Sequence, residues 1–187
     1  MEHAGAEKAE NSIGRMKGFH GQFGVFVRSL AYIMTLGGDG LHQVSGDAVL
    51  NANYLRVRLS DELTPYHDGI CMHEVLFDGS FLNGTGIKTL DFAKAMIDLG
   101  FHPPTMYFPL IVDGALLIEP TETESKASLD EFIDVVNNLA KEVKKPEFKE
   151  KFKNSPKNAP RQRLDETIAA RKPILRWVSD FLLKAAE

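Results

Sequence analysis

The segment from Ile118 to Ser125 is the densest group of residues in this sequence that could do chemistry. It reads IEPTETES and places three carboxylates and three hydroxyls directly after a predicted strand. Loops at strand ends often hold functional groups on a rigid scaffold. Acids this close repel one another unless a cation or a hydrogen-bond donor faces them. The alternative is a solvated acidic loop that leads into the next helix, and composition alone favours that alternative.

Two histidines are further candidates for a functional role. His102 precedes two prolines and Thr105, and the fixed φ angles of the prolines restrict the backbone that carries the imidazole. His20 lies among three glycines between residues 18 and 24, which permits close approach of a ligand or another domain to the backbone. The alternatives are a hydrogen-bonded structural histidine at position 102 and a flexible loop around position 20.

Several other reaction classes have no support in the sequence. The segment from Gly84 to Thr89 superficially resembles a phosphate loop but misses the P-loop spacing. His67 and His73 lie outside any HExxH or clustered Cys/His pattern, so we predict no metal site. No Gly-x-Ser-x-Gly motif marks a serine hydrolase. These residues alone do not name a reaction.

Charge, cysteine content and hydropathy limit the class of protein. The net charge of -4 argues against a general nucleic-acid binder, whose affinity would come from neutralising phosphates. A lone cysteine, Cys71, cannot form an internal disulfide. The most apolar run, from Val25 to Leu36, contains Arg28 and is too short to span a bilayer. We expect a cytoplasmic protein with no membrane or nucleic-acid partner.

Hydrophobic periodicity and turn signals predict an α+β fold in which helices cover a small antiparallel sheet. The predicted elements, in chain order, are helices over Phe23–Leu36 and Gly40–Leu59, a strand over Ile70–Phe77, a helix capped by Thr89 and ending at Gly100, a hairpin of 110–112 with 115–118 around Asp113-Gly114, and a helix capped by Ser128 with Glu131.

The predicted domain organisation has three parts. Residues 1–11 are polar and are expected to form a disordered leader without a signal peptide. Residues 12–143 form the α+β domain. Residues 144–187 form a basic linker and a helical tail, with a solvated stretch from Lys141 to Pro160 and a terminal helix after Leu164.

Twelve short stretches, taken together in order, resemble a known family more specifically than any one of them alone. They are Ser12–Arg15, Gly21–Val25, Val27–Arg28, Asp47–Leu55, His73–Val75, Thr89–Asp91, Gly100–Thr105, Tyr107–Leu110, Ile118–Ser125, Arg163–Glu166, Ala169–Pro173 and Leu175–Trp177. They resemble the C-terminal domain of glycine dehydrogenase (decarboxylating), the P-protein of the glycine cleavage system, as found in its pyridoxal phosphate (PLP)-binding subunit 2. The resemblance extends from Ser12 to Trp177.

The resemblance implies the small C-terminal domain of a fold-type-I PLP-dependent transferase. Such an enzyme decarboxylates glycine, using PLP as an electron sink, and passes the aminomethyl group to the lipoyl arm of H-protein. The anchoring lysine and the acid that pairs with the pyridinium nitrogen belong to a large domain upstream of the matched region. We therefore expect this chain to be inactive alone and to carry no covalently bound PLP. Its expected role is to close the active site and to help form a subunit interface.

The resemblance also implies partners and candidate site residues. The partners are the PLP-binding part of P-protein, P-protein subunit 1, lipoyl H-protein and glycine. The residues expected to face the cofactor cleft or an interface are Arg15, His20, His102, Thr105, Glu119, Thr121, Glu122 and Thr123. No catalytic residue is assigned to the chain itself. The alternative for each residue is packing or capping.

Two other functions stay open at this point. One is a non-catalytic binding or regulatory module derived from P-protein. The other is an assembly module that forms a homodimer through Phe19, Phe23 and Phe26, because exposed apolar patches attract partners.

Overall fold

The computed structural model describes residues 21–177, which belong to two compact units divided between Gly46 and Asp47. The predicted leader at residues 1–11 lies outside the described residues, as do Arg15 and His20. No helix within residues 21–177 is long and apolar enough to cross a membrane.

The first helix, α1, runs from Phe23 to Leu59 and has a non-helical residue at Gly37, with φ 65° and ψ −176°. The predicted break at Gly37 is confirmed, because glycine adopts this left-handed φ without a steric penalty. The predicted gap is shorter than expected, since the chain is helical again directly after Gly37.

The run from Phe23 to Leu36 is apolar almost all round, which predicts a helix buried on most faces. This prediction is wrong, because the apolar residues in the first part of α1 are exposed. Phe23 is 71% exposed and Met34 is 73% exposed. The described part of this unit is almost entirely this one helix. An apolar helix face is buried only where another element packs on it. Within residues 21–46, no second helix or strand does so.

The second unit contains the last part of α1, a three-stranded antiparallel sheet and further helices. The remaining elements are β1 (Val75–Phe77), α2 (Thr89–Asp98), β2 (Thr105–Met106), β3 (Leu116–Ile118), α3 (Lys126–Glu142), α4 (Lys149–Asn154) and α5 (Glu166–Arg171), with short 3₁₀ turns at Gly79–Leu82 and Pro146–Phe148. The strand order is β1-β3-β2. The predicted α+β class with a small antiparallel sheet is confirmed.

The first strand is shorter than predicted. Only Val75–Phe77 pairs with β3, in the register Val75 to Ile118. The predicted strand from Ile70 is wrong over its first half because a side chain engages the backbone there. The side-chain oxygen Oδ1 of Asn53 accepts a hydrogen bond from Cys71 N at 3.0 Å, and its Nδ2 donates one to Cys71 O at 2.7 Å.

The predicted hairpin of residues 110–112 with 115–118 is also wrong. The strand that pairs with β3 on this side is β2, with Thr105 opposite Leu117. Between them, the amide of Tyr107 donates to the carbonyl of Ala115 at 2.9 Å, and a turn from Pro109 to Val112 follows. The turn leaves Leu110 90% exposed and outside the sheet.

Two predicted helix caps are displaced. At the start of α3, the hydroxyl of Ser125 accepts a hydrogen bond from Ser128 N at 3.1 Å, so Ser125 is the cap and Ser128 is not. At the start of α2, Thr89 donates its hydroxyl to Gly114 O at 2.9 Å. Lys88 is the N-cap residue of α2 in place of Thr89, and its backbone N–H donates to the carboxylate of Asp91 at 2.9 Å.

The core lies where α1, α2, α3, α4 and the sheet pack together. The helical spacing of Leu129, Phe132, Ile133, Val136 and Leu139 predicts the inward face of α3. This prediction is confirmed, since Phe132 is half-buried and the other four are buried. The largest fully buried side chains are Phe77, Phe92, Phe152, Leu55, Leu59, Leu63, Met96, Leu116, Ile133, Leu139, Val75 and Val136.

The expectation of a solvated linker from Lys141 to Pro160 is wrong. Within this stretch lies α4, whose Phe152 is fully buried and stacks on Phe92 at 6.3 Å between ring centroids. A lysine-rich composition does not exclude a packed helix, because each turn of α4 needs only one apolar residue to face the core. Its lysines extend to acids or to solvent.

A buried carboxylate on α2 ties this segment to the core. Asp91 has a side chain only 5% exposed, and it contacts Lys153 Nζ at 2.7 Å and Arg163 at 2.8 Å. Arg163 also donates to the carbonyls of Phe152 and Ser155 at 2.8 Å. Burial would raise the pKa of Asp91, but hydrogen bonds from Lys153, the Lys88 amide and Arg163 lower it below its ordinary value.

Phe152→Ala is expected to lower the free energy of unfolding by about 3–5 kcal/mol, the usual cost of removing a buried phenylalanine ring. Chemical denaturation measures this. Leu164→Ala is the control, because Leu164 is 70% exposed and its loss should change stability by less than about 0.5 kcal/mol. Equal small effects of the two substitutions would mean that α4 is not packed.

Asp91→Asn is expected to destabilise the chain by roughly 3 kcal/mol at neutral pH, because it leaves two cations facing an uncharged group. The folded pKa of Asp91 is lowered, so its stabilising effect is complete above about pH 4 and is lost as the pH falls through the folded pKa. Denaturation of both proteins between pH 7 and pH 2 measures the difference, which should shrink in acid. The exposed Asp134→Asn is the control and should change the stability at neutral pH by less than about 0.5 kcal/mol.

Candidate functional site

Two asparagines in the last part of α1 hold two separate loops. Asparagine is unfavourable inside a helix because its side chain competes for backbone hydrogen bonds. Here, the side-chain Nδ2 of Asn51 donates to Thr121 O at 3.0 Å and to Glu124 O at 3.4 Å. Asn53 holds the backbone of Cys71 on both its N–H and its carbonyl. One helical turn therefore fixes both loops.

The acidic loop, residues 119–125, is also ordered by its own hydrogen bonds. The hydroxyls of Thr121 and Thr123 lie 2.6 Å apart. The amide of Glu124 donates to Thr121 O at 3.2 Å. The carboxylate of Glu124 accepts from the hydroxyl of Ser128 at 2.8 Å, and Ser125 caps α3. The loop is a fixed turn between β3 and α3.

Hydrogen-bond donors lie near Glu119 and Glu124 of this loop. Ser128 faces Glu124, and Nε2 of His73 lies 3.9 Å from Oε1 of Glu119. The latter pair is weak, because both side chains are more than half exposed and solvent screens them. The carboxylate of Glu119 is therefore available to a group outside the described chain.

The first cleft brings two of the predicted residues together. It has a volume of roughly 270 Å³, and His102, Glu119, Glu124 and Ser128 supply its polar atoms. The rest of its lining is mostly apolar: Leu55, Phe101, Pro103, Pro104, Ile118, Pro120, Leu129 and Phe132. His102 and Glu119 are both exposed at this cleft.

The other predicted residues lie around the first cleft rather than in it. Thr121, Glu122 and Thr123 are on the acidic loop, with Glu122 half-buried and the two threonines exposed. Thr105 is exposed on β2 and is not part of the cleft lining.

Sequence reasoning did not select the residues that hold the site in place. Asn51, Asn53 and His73 lie in stretches that carry the family resemblance, but none of the three is among the predicted site residues. The available signal was the presence of two asparagines in the middle of a predicted amphipathic helix, where neither can serve as a cap. Such asparagines are retained where their amides satisfy another segment's backbone.

A second polar group fixes the start of α3 against α1. The hydroxyl of Tyr54 donates to Asp130, and Arg58 donates to Tyr54 at 2.5 Å. Lys126 pairs with the same carboxylate at 2.5 Å. Hydrogen bonds from Lys126 and Tyr54 hold the pKa of Asp130 below its ordinary value. This cluster positions the helix that follows the acidic loop.

Comparison with known proteins identifies the family. The family model described as "Glycine dehydrogenase, C-terminal domain" matches residues 44–161, which include α2, α3, the sheet and the acidic loop. The chain belongs to this family. The resemblance predicted from the sequence is confirmed.

The curated relatives are about three times longer than this chain. A probable glycine dehydrogenase (decarboxylating) subunit 2 of Caulobacter vibrioides is 60% identical over 177 residues, which are 94% of this chain and 34% of that protein. The protein of the same name from Kosmotoga olearia is 56% identical over 170 residues, or 90% of this chain and 35% of that protein. One from Staphylococcus aureus is 48% identical, with 90% and 34% covered.

The first cleft does not fit the anchoring of PLP. A PLP enzyme of this type needs a lysine amine for the cofactor and cationic or amide donors for its phosphate. Among the described residues, no lysine or arginine lines this cleft. Within residues 21–177, no group of three or more His, Cys, Asp or Glu side chains is placed to hold a metal ion. We derive no cofactor chemistry from this site.

Asn51→Ala and Asn53→Ala are expected to loosen different loops, although the residues are two positions apart. Each loss should cost about 1 kcal/mol locally, so the affected amides should exchange about fivefold faster. Hydrogen exchange should detect this at Glu124 for Asn51→Ala and at Cys71 for Asn53→Ala. Each variant is the control for the other. Faster exchange at both sites in both variants would instead indicate general fraying of α1.

Proposed function

We propose that this domain is a part of glycine dehydrogenase (decarboxylating) that closes the active site and contributes to a subunit interface, while PLP is anchored elsewhere in the enzyme. Three observations support the proposal: membership of the C-terminal domain family, coverage of about a third of the relatives' length, and a first cleft whose lining, among residues 21–177, contains acids and apolar residues but no lysine or arginine.

The observation that carries the proposal is the rigid support of the acidic loop. Its backbone is held by Asn51, its threonine hydroxyls bond to each other and Ser125 caps the next helix. A merely solvated loop needs no such support, whereas a loop that positions groups for catalysis or recognition must be held within a fraction of an ångström. Its exposed Glu119 and the neighbouring His102 then face a ligand or a neighbouring polypeptide.

The proposal extends to the eight residues selected from the sequence, namely Arg15, His20, His102, Thr105, Glu119, Thr121, Glu122 and Thr123. We propose that they face the cofactor cleft or an interface of the complete enzyme. We assign no proton transfer to any of them.

The partners and the fold family of the complete enzyme are also part of this proposal. The relatives' name, subunit 2, supports a partner subunit 1. Lipoyl H-protein and glycine would be the other partners, and the complete enzyme would have the fold-type-I architecture in the cytoplasm. PLP would serve as its electron sink.

A second candidate function is favoured by the first part of α1. Its apolar side chains are exposed, including Phe23, Phe26 and Leu30. An exposed apolar helix face is a surface for association with another polypeptide or with a second copy of the chain. A purely assembly-related role would use this helix and would not need the acidic loop.

The proposed function is tested by reconstitution. The 187-residue chain is mixed with a polypeptide that covers the rest of the relatives' length, and glycine–carbon dioxide exchange is measured with PLP and lipoyl H-protein. We expect exchange in the mixture and none with the chain alone. Glu119→Gln should reduce the exchange by roughly tenfold or more, since loss of a positioned group at a reacting site has effects of this size.

Glu131→Gln is the matched control, because Glu131 is an exposed acid on α3 outside the first cleft. It should leave the exchange rate unchanged. Exchange by the chain alone would contradict the proposal. Equal rates for the Glu119→Gln and unsubstituted mixtures would remove the first cleft from it and leave the assembly role.

A further inference from the structure

A second cleft lies on the other side of β3 from the first. Its volume is roughly 540 Å³, within the range of small-molecule sites. Arg56 of α1 lines this cleft, and the segment from His67 to Leu76 contributes most of the wall. Phe108 and Pro109 complete the rim. Leu117 lines this cleft, whereas its neighbour Ile118 lines the first one.

Arg56 lacks the partners that a guanidinium normally has. Its Nε is buried from solvent and has no hydrogen-bond partner. Its Nη1 makes one long contact, 3.4 Å to the carbonyl of Asp68. No ion pair joins Arg56 to any Asp or Glu among residues 21–177. A buried donor without an acceptor is costly, so the arrangement favours an acceptor supplied from outside.

The thiol beside Arg56 does not serve as its counter-ion. Burial raises the pKa of Cys71, although a backbone hydrogen bond and the charge of Arg56 act in the opposite direction. Cys71 therefore remains a neutral thiol at neutral pH. Glu74 also lines the cleft but forms no ion pair with Arg56. The guanidinium keeps an unneutralised charge.

The rim of this cleft is apolar and fixed in place. Ile70 is 86% exposed, Met72 is 70% exposed and Phe108 is 57% exposed. Asn53 holds the backbone of Cys71, which lies between Ile70 and Met72. This wall of the cleft is therefore fixed in the absence of a ligand. A ligand that pairs with the guanidinium of Arg56 and also packs on the apolar rim must combine an anion with a short apolar body. A carboxylate matches the planar guanidinium with two parallel hydrogen bonds.

We propose that the second cleft is a binding site for a small carboxylic acid with a short apolar body, with its carboxylate on Arg56 and its apolar part against Ile70, Met72 and Phe108. The site is separate from the first cleft and does not depend on PLP or on the proposed function.

The proposal is tested by NMR titration of the full 187-residue chain with butyrate. We expect saturable shifts of the amides of residues 69–72, with a dissociation constant in the millimolar range that is usual for a ligand of so few atoms. Butyramide keeps the shape but lacks the charge, and glycine keeps the carboxylate but lacks the apolar body. Both should bind at least about tenfold more weakly.

Arg56→Gln should weaken butyrate binding about tenfold or more, whereas Arg58→Gln should leave it unchanged. Arg58 is a matched control because it is two residues away and pairs with Asp130 outside this cleft. Ile70→Ser changes only an exposed side chain, so it should weaken binding without affecting folding, even if Arg56→Gln destabilises the chain.

Any one of three results would overturn the proposal. The first is equal binding of butyrate and butyramide, and the second is equal binding of butyrate by the Arg56→Gln and Arg58→Gln variants. The third is no saturable binding of butyrate. If the Arg56→Gln variant then also assembles more weakly with the rest of the enzyme, Arg56 pairs with an acid of a neighbouring polypeptide and the cleft is an interface.

Discussion

The amide hydrogen bonds of Asn51 and Asn53 are the interaction on which both clefts depend. A helix is the stiffest support that a chain of this size offers, and successive residues on it face different directions. Two asparagines separated by one residue can therefore hold two loops on different sides of the same turn. Asn51 holds the acidic loop of the first cleft, and Asn53 holds the wall of the second. The free energy of each hydrogen bond is small, about 1 kcal/mol, and in the acidic loop it adds to the bonds that the loop makes within itself and with Ser128.

Sequence reasoning predicted the parts of the fold that are determined locally. The periodicity of Leu129, Ile133 and Val136 was sufficient for α3, and the left-handed break needed only Gly37. It failed where a distant group competes for the backbone. The strand predicted from Ile70 is displaced because Asn53, 18 residues earlier, takes the hydrogen bonds of Cys71. No local pattern records such a pairing.

The solvated linker predicted over the α4 segment is wrong for the same reason, namely contacts with residues that are distant in the sequence. Composition makes the segment around Lys149 and Lys153 appear solvated, because lysine is mostly exposed in proteins. Its position is fixed instead by Phe152 in the core and by the buried carboxylate of Asp91. The sequence could have suggested the phenylalanine as an anchor. It could not have indicated that Lys153 pairs with Asp91, an acid 62 residues earlier. The candidate site divides in the same way, since the acidic loop was visible in the sequence and its supports were not.

The two clefts differ in charge for a reason that follows from strand geometry. Successive residues of β3 face opposite sides of the sheet, so Ile118 and Leu117 belong to different clefts. The loop after β3 adds carboxylates to the side of Ile118, and α1 adds Arg56 to the side of Leu117. An acid-lined cleft attracts donors and cations, whereas an unpaired guanidinium attracts a carboxylate. One small domain thus has two clefts with different charged groups beside a single strand, and the same turn of α1 holds a loop of each in position.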